Sequence, residues 1–538
     1  MKRPTRHSAP TALATTLAAA LASFAAGCGG SDDDAAPTTP PVVSLDAKTT
    51  CAGLASLTLP DTTIMSAVEV PAGPPPAGTP GPTFLPNVTA TSLPAYCKVA
   101  AQIVPQIGIE VWMPIKAWNG RFQGVGNHQF AGALDYGDMS YQMTRGYAVA
   151  STDAGHQGAN PLPWMQNPQQ IVDYGYRGVH EMTLKAKAII ASYYGQSANY
   201  NYWNGCSTGG KEALMEAQRY PSDYHGIVVG DPNFDQIGNR AMYVWDAQVT
   251  FANPATALSQ AKLVLINNAV LKACDALDGV TDGSIENPAT CSFQPTSLLC
   301  TAGQDPATCL TSAQAGALAN LYAGPKNPRT GAEVCTGWPR GSELGWGGVI
   351  AGPGVFSTAD QFFKNMVFKN PAWDWHTFNF DSDVTFATSN FGALVNAVDP
   401  DLSPFESTGA KMLHYHGWRD TNHPAGRSVE YYESVLSKLN TTSNRSDAIA
   451  RTQKFYRLFM SPGSNGCGGG TTHPGTFDPM DTIVSWVEAK TPPDRVIVSH
   501  ATGTTVDRTR PICPYPQIAA YNGTGSTDDA ANFTCKAS

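Results

Sequence analysis

The segment Gly205-Cys206-Ser207-Thr208-Gly209 sets a serine between two glycines in the pattern G-x-S-x-G. A serine there sits on a sharp turn from strand to helix, and its small neighbours permit the strained backbone that exposes Oγ. The chemistry is acyl transfer: Ser207 attacks a carbonyl carbon, and the N–H of Thr208 is placed to donate to the oxyanion that forms. Such a nucleophile needs a base, and the base needs a carboxylate to hold its tautomer. Asp420, which ends the segment HYHGWRD (414–420), is the candidate carboxylate, against the alternative of a turn aspartate in Asp420-Thr421-Asn422. Cys206 directly precedes the serine, and a second cysteine lies in Gly466-Cys467-Gly468-Gly469-Gly470. If Cys206 and Cys467 pair, a covalent bond joins the nucleophile loop to the loop expected to carry the base, closing about 260 residues of chain.

The elements around these residues supply the context that the motif requires. Apolar, β-rich runs at 107–113, 147–152, 200–203 and 227–229 read as strands. Residues 179–194 have helical periodicity closed by Gly195, and 210–219 read as the helix that follows the elbow. Strands alternating with helices predict a parallel sheet in an α/β fold. From about 231 to 407 that rhythm breaks into a Cys-, Gly-, Pro- and Trp-rich stretch, read as an inserted lid domain. It returns with a strand at 411–415, a helix at 426–438, a strand at 454–459 and a helix at 480–489. The catalytic domain is thus expected in two pieces, 46–230 and 408–538, with Asp420 just after the strand that resumes it.

Length and charge bound the partners. A chain of 538 residues with 42% hydrophobic content has ample material for a large domain with an insertion. A net charge of −9 argues against nucleic acid, which calls for clustered Lys and Arg. Lys2, Arg3 and Arg6 followed by an Ala/Leu-rich stretch form an export signal over residues 1–28. It ends in Ala25-Ala26-Gly27-Cys28, which resembles a lipobox; ordinary cleavage and secretion is the other reading. Residues 29–45 read as a polar, Pro-rich tether, so a lipid anchor on Cys28 is the one membrane contact expected. Twelve cysteines without a C-x-x-C pair fit an oxidising compartment rather than a zinc site.

The chain resembles the tannase/feruloyl esterase family, which includes the mono(2-hydroxyethyl) terephthalate hydrolases. The matching segments are WNGRFQGVGN (118–127), STDAGHQG (151–158), HEMTLKAKAIIASYYG (180–195), YWNGCSTGGKEALMEAQRYPSDYHGIVVG (202–230), CDALDGVTDGSIENPATC (274–291), HYHGWRD (414–420), PGSNGCGGG (462–470) and FDPMDTIVSWVEAKTPP (477–493). The resemblance implies an α/β-hydrolase core with a lid inserted after the elbow. It also implies hydrolysis of esters of aromatic acids such as gallate, ferulate or a terephthalate monoester. It places the nucleophile at Ser207, the acid at Asp420 and a disulfide between Cys206 and Cys467. The other family disulfides would fall at Cys51–Cys97, Cys274–Cys291, Cys300–Cys309 and Cys513–Cys535, leaving Cys335 as a free thiol.

The segment 275–284 carries Asp275, Asp278 and Asp282 with glycines that permit a tight loop. Three carboxylates at that spacing suit a hard cation with oxygen ligands, and Ca²⁺ fits better than Zn²⁺. Their side chains with the carbonyls of Val280 and Ser284 would hold a structural Ca²⁺ in the lid, as the resemblance also implies; an acidic solvated turn is the alternative.

Two departures stand out. The family's base directly precedes the second cysteine, and here position 466 is glycine. The family's oxyanion loop reads Gly-Asn-Gly-Gly, where this chain has Gly126-Asn127-His128-Gln129. The backbone N–H of His128 or Gln129 could still donate to the oxyanion. His473, six residues past Cys467, could reach back as a relocated base, or the His128 side chain could fill the space of the lost imidazole. His156, His414 and His416 read as structural. A catalytically impaired homologue that binds aromatic acids or esters is the competing reading. The lid aromatics Trp338, Trp346, Phe356, Phe362, Phe363, Trp373 and Trp375 suit flat aromatic acids or a small lid core. Arg240 or Arg340 could meet a free carboxylate of the substrate, and neither is singled out.

Overall fold

The computed structural model describes residues 45–537, apart from 86, 87, 159, 161, 351, 353 and 471. The export signal, Cys28 and the tether up to residue 44 lie outside the described residues. Nine strands build the main sheet: β1 (Thr62–Val70), β2 (Tyr96–Ile103), β3 (Ile107–Pro114), β4 (Arg121–Val125), β5 (Ala148–Thr152), β6 (Tyr200–Cys206), β7 (Gly226–Gly230), β8 (Lys411–Gly417) and β9 (Tyr456–Ser461). They lie in the order β1-β2-β3-β5-β4-β6-β7-β8-β9.

The expected parallel sheet is correct from β5 onward, where every pairing across β4, β6, β7, β8 and β9 is parallel. The pairings among β1, β2, β3 and β5 are antiparallel, which corrects the expectation for that half. Strand–helix alternation reports only crossovers, and neighbouring antiparallel strands need none. Every residue of β5, β7 and β9 is buried, as expected of strands covered on both faces. On one face the helix Gly178–Tyr194 packs Met182, Ala186, Ile189 and Ile190 onto the sheet, and Gly195 ends it in a left-handed conformation. On the other face the helix Pro479–Glu488 contributes Met480, Ile483, Val484 and Val487.

Register decides where the functional loops emerge. Cys206 lies opposite Gly230, Gly230 opposite Tyr415, and Gly417 opposite Ser461. The chain therefore leaves β6, β7, β8 and β9 side by side at their carboxyl ends, where open α/β sheets place ligands.

Between β7 and β8 the described residues add no strand to this sheet. The helices Gln236–Phe251, Gln260–Cys274 and Ser312–Ala323 instead enclose a second apolar cluster built on Trp338, Trp346, Phe362 and Phe363. Asp235 caps the first of them by accepting from the N–H of Gly238, and Thr311 with Gln314 forms a capping box on the third. The insertion belongs to the same compact unit as the sheet.

Five disulfides join Cys51–Cys97, Cys206–Cys467, Cys274–Cys291, Cys300–Cys309 and Cys513–Cys535. Cys335 is free and buried, and burial pushes its thiol pKa well up. The Cys206–Cys467 bond spans a sequence separation of 261 and ties the end of β6 to the loop beyond β9. Replacing both cysteines by alanine is expected to cost about 3–5 kcal/mol through the freed unfolded chain. Equilibrium urea unfolding reads the loss, and an unchanged midpoint would show that the bond constrains nothing.

Candidate active site

Ser207 occupies φ 59°, ψ −114°, directly between β6 and the helix Thr208–Arg219. Such a conformation costs about 1–3 kcal/mol in a non-glycine residue and persists only where the surroundings hold it. Here the N–H of Ser207 donates to Gly230 O at 3.0 Å, and Ser207 O accepts from Asn233 N at 3.0 Å. The flanking glycines permit close approach: a Cβ on Gly205 would meet the Gly209 carbonyl carbon at 2.5 Å, and one on Gly209 would meet Gly126 Cα at 2.9 Å.

That contact brings the 126–129 loop against the elbow. Gly209 N donates to Asn127 O at 2.8 Å, and Asn127 N donates to Glu212 Oε2 at 3.0 Å. Thr208 Oγ1 donates to Gln129 O, and Gln129 itself has φ 48°. The His128 ring is held by Asp135 Oδ2 at 2.7 Å and Thr83 Oγ1 at 3.1 Å. It therefore does not contact Asp420, and the expectation that it could replace the lost imidazole is corrected. His128 and Gln129 still line the cavity beside Ser207.

The imidazole that faces Ser207 belongs to His423. Its Nε2 lies 3.5 Å from Ser207 Oγ, and its Nδ1 lies 3.1 Å from Asp420 Oδ2. Asp420 is 1% exposed and closes its own turn, accepting from Asn422 N at 2.7 Å and His423 N at 3.2 Å through Oδ1. With Nδ1–H directed at the carboxylate, the Nε2 lone pair faces the serine. Burial alone would raise the Asp420 pKa; the charges and hydrogen bonds of His423 and His416 outweigh it and hold the carboxyl well below the usual range.

A second imidazole meets the same carboxylate. His416 Nε2 lies 3.3 Å from Asp420 Oδ2, and its Nδ1 is 2.7 Å from Ser428 Oγ. Ser428 Oγ in turn lies 3.0 Å from His414 Nε2, and His414 Nδ1 is 2.8 Å from Tyr456 OH. A buried hydrogen-bonded row thus runs from Tyr456 to His416, whose Nε2 lies 3.2 Å from His423 O as well as beside Asp420. Asp231, alongside, accepts from Gly417 N at 2.8 Å, and burial with repulsion from Asp420 pushes its carboxyl up to about 7.

His473 is not brought to Ser207, which corrects its reading as a relocated base. Its Nδ1 accepts from Arg419 Nη1 at 2.7 Å and its Nε2–H donates to Asp282 O at 3.0 Å. It lines a separate small cavity with Asp278, Asp282, Ser284 and Arg510. Gly466 has φ 122°, and a Cβ built there would sit 3.5 Å from Asp420 Cγ. Position 466 therefore faces the carboxylate that His423 already engages. The available signal was spacing: a histidine three residues after the acid, in a turn, before Pro424.

The cavity over Ser207 has a volume of about 680 Å³. The insertion helix Gln236–Phe251 reaches into its wall: Asn239 Nδ2 donates to Asn422 O at 3.1 Å, and Tyr243 OH donates to the same carbonyl. Of the seven lid aromatics, Phe356 lines this cavity, while Trp338, Trp346, Phe362 and Phe363 are buried in the insertion's core. Arg240 lines it too; Arg340 instead donates to Phe293 O and lies over Tyr322.

In the 275–284 loop, Asp275 accepts from Asp282 N at 3.2 Å and Gly283 N at 3.0 Å. Asp278 accepts from Val280 N at 2.9 Å, and Asp282 accepts from Ser284 N at 3.2 Å and pairs with Arg510. The three aspartates are absent from the groups of ligating side chains that converge within 4.8 Å among the described residues. The donor chemistry nevertheless fits a hard cation. Ser284 Oγ is buried without a partner, and burial with mutual repulsion pushes Asp278 up to about 6 and Glu286 up to about 8.

Residues 87–536 match the family model described as tannase and feruloyl esterase. An uncharacterized esterase of Xanthomonas campestris pv. campestris is 35% identical over 542 residues, covering 92% of each chain. A probable feruloyl esterase B-1 of Aspergillus oryzae is 32% identical, covering 83% of this chain and 84% of its own. The crystal structure of feruloyl esterase B from Aspergillus oryzae superimposes with a TM-score of 0.81 at 29% identity, over 90% of this chain and 98% of that one. The chain accordingly belongs to the tannase and feruloyl esterase family, and it is a carboxylic ester hydrolase built on the α/β-hydrolase fold.

Proposed function

We propose that the protein hydrolyses esters of aromatic acids, feruloyl, galloyl or related, through an acyl-enzyme on Ser207 with His423 as base and Asp420 as acid. The observation that carries this reading is the row Ser207 Oγ–His423 Nε2, His423 Nδ1–Asp420 Oδ2 at the wall of the cavity. Ser207 Oγ adds to the ester carbonyl as its proton passes to His423 Nε2. The negative charge that develops on the carbonyl oxygen faces the N–H of Thr208 and that of His128 or Gln129. His423 then returns the proton to the departing alcohol, and the same imidazole activates the water that releases the acid. Asp420 stays ionised throughout, holding the ring and stabilising the imidazolium. The reading of an impaired binding homologue drew on the glycine at 466 and on the altered 126–129 loop, and a base supplied from the 420–423 turn answers the first of these.

We infer a structural role for Ca²⁺ at Asp275, Asp278, Asp282 and the carbonyls of Val280 and Ser284, where it would offset the carboxylate charge that the loop concentrates. The five disulfides suit folding outside the reducing cytoplasm, and the 1–28 segment supports export with either a lipid on Cys28 or release.

Ser207→Ala and His423→Ala are each expected to lower kcat/KM for methyl ferulate by on the order of 10³-fold or more. His473→Ala is expected to stay within about tenfold of the parent; the reverse pattern sinks the assignment. Gly466→His is expected to bring no gain in rate and to lower thermal stability, because a side chain at φ 122° is strained and His423 already engages the carboxylate. An acceleration of orders of magnitude would show instead that the site lacks its base. Chelation with EGTA is expected to lower Tm by several degrees, with Ca²⁺ but not Mg²⁺ restoring it; an unmoved Tm speaks against the ion.

A further inference from the structure

His416 is fully buried, and its Nε2 faces three oxygens: His423 O at 3.2 Å, Asp420 Oδ2 at 3.3 Å and Asp231 Oδ1 at 3.9 Å. A lone pair set against three acceptors would be repelled, so Nε2 carries a hydrogen. The carbonyl it meets belongs to the residue whose imidazole faces Ser207. What keeps that hydrogen on Nε2 lies farther back.

The row behind His416 has one direction. Among the described residues the Tyr456 hydroxyl has His414 Nδ1 as its one partner, at 2.8 Å, and burial pushes its pKa well up, so it donates. Burial, with the neighbouring His416, holds His414 well below the ordinary imidazole range, so that ring has a single N–H, on Nε2. It donates to Ser428 Oγ at 3.0 Å. The Ser428 hydroxyl then donates to His416 Nδ1 at 2.7 Å, which leaves the hydrogen of His416 on Nε2. Burial opposes a second proton on His416; the contact with Asp420 and the charges of Asp231 and Asp420 outweigh that and draw its pKa up. Taking the proton would aim two N–H donors at Ser428 Oγ and leave the serine hydrogen without an acceptor. Only the neutral ring matches every donor in the row to an acceptor.

We propose that Tyr456, His414, Ser428 and His416 form a positioning row for turnover: it keeps a hydrogen on His416 Nε2, and that N–H holds the His423 carbonyl beside Asp420 so that the imidazole stays directed at Ser207. This rests on the assignment of His423 as base and names the residues that hold it. The other polar groups of the turn are held from elsewhere. Asp420 Oδ1 takes the N–H of Asn422 and of His423, and Asn239 and Tyr243 of the insertion hold Asn422 O. Pro424 follows and offers no N–H, which leaves the His423 carbonyl to secure the far end of the turn. The 3.5 Å between His423 Nε2 and Ser207 Oγ has to shorten for proton transfer, and a drifting turn lengthens it. None of the four residues lines the cavity over Ser207, so substrate contact is not what their removal would change.

The test is steady-state kinetics of the full-length protein on methyl ferulate, measured well below the Tm of each variant. Ser428→Ala deletes a hydroxyl and no charge; it is expected to lower kcat about tenfold or more with KM within about twofold. His416→Gln keeps an amide N–H near the Nε2 position and His416→Leu has none; the glutamine variant is expected to retain a kcat about tenfold above that of the leucine variant. Equal kcat in those two, or parental kcat in Ser428→Ala, overturns the proposal. Imidazole nitrogen shifts of histidine-labelled protein read the row without turnover. His414 and His416 are expected as neutral rings with the hydrogen on Nε2, and Ser428→Ala is expected to displace the signals of both. A His416 hydrogen on Nδ1, or on both nitrogens, overturns the proposal. A fully active His423→Ala would sink the base assignment and this proposal together; an inactive His423→Ala beside a parental Ser428→Ala sinks this proposal alone.

Discussion

Two imidazoles share one buried carboxylate, and the site is organised around that sharing. Asp420 accepts from its own turn on one oxygen and faces both His423 and His416 on the other. Burial disfavours the charge; the charges and hydrogen bonds of the two imidazoles outweigh that. The carboxylate is therefore ionised and fixed, as the orientation of a base requires. His416 is fixed in its turn by Ser428, His414 and Tyr456, so the strength of the arrangement reaches back into the helix Gly426–Leu439 and the neighbouring strand β9.

Everything else places that carboxylate relative to the serine. Parallel register sends β6 and β8 out at the same edge, with Gly230 of β7 between them. The Cys206–Cys467 bond pins the elbow to the glycine-rich loop that passes Asp420, while Gly126, Gly205 and Gly209 bring the 126–129 loop against the serine. The inserted helix Gln236–Phe251 holds Asn422 O from above and presents Arg240 from the same turn of chain. The insertion thus serves the position of the base as well as the shape of the cavity.

Much of this was legible in the sequence. Ser207 announced itself through G-x-S-x-G between strand and helix, and Asp420 through its place just after the strand that resumes the sheet. His423, the proposed base, was missed because a histidine was sought beside Cys467, where family resemblance places it, and then at His473 and His128. Its position three residues beyond Asp420 was a local signal in the sequence, since the turn that Asp420 caps folds the imidazole back onto the carboxylate; what the spacing does not declare is that this turn faces Ser207. The hairpin half of the sheet escaped for want of crossover helices. The lid aromatics divided between core and cavity according to which face of the insertion they lie on.

The central claim is that His423 activates Ser207. The most direct measurement is the second-order rate constant for labelling of Ser207 by a fluorophosphonate in the parent and in His423→Ala, with folding verified by circular dichroism. The account predicts a fall on the order of 10³-fold in the variant, with Ser207 as the labelled residue in the parent. Labelling of His423→Ala at the parental rate would contradict it.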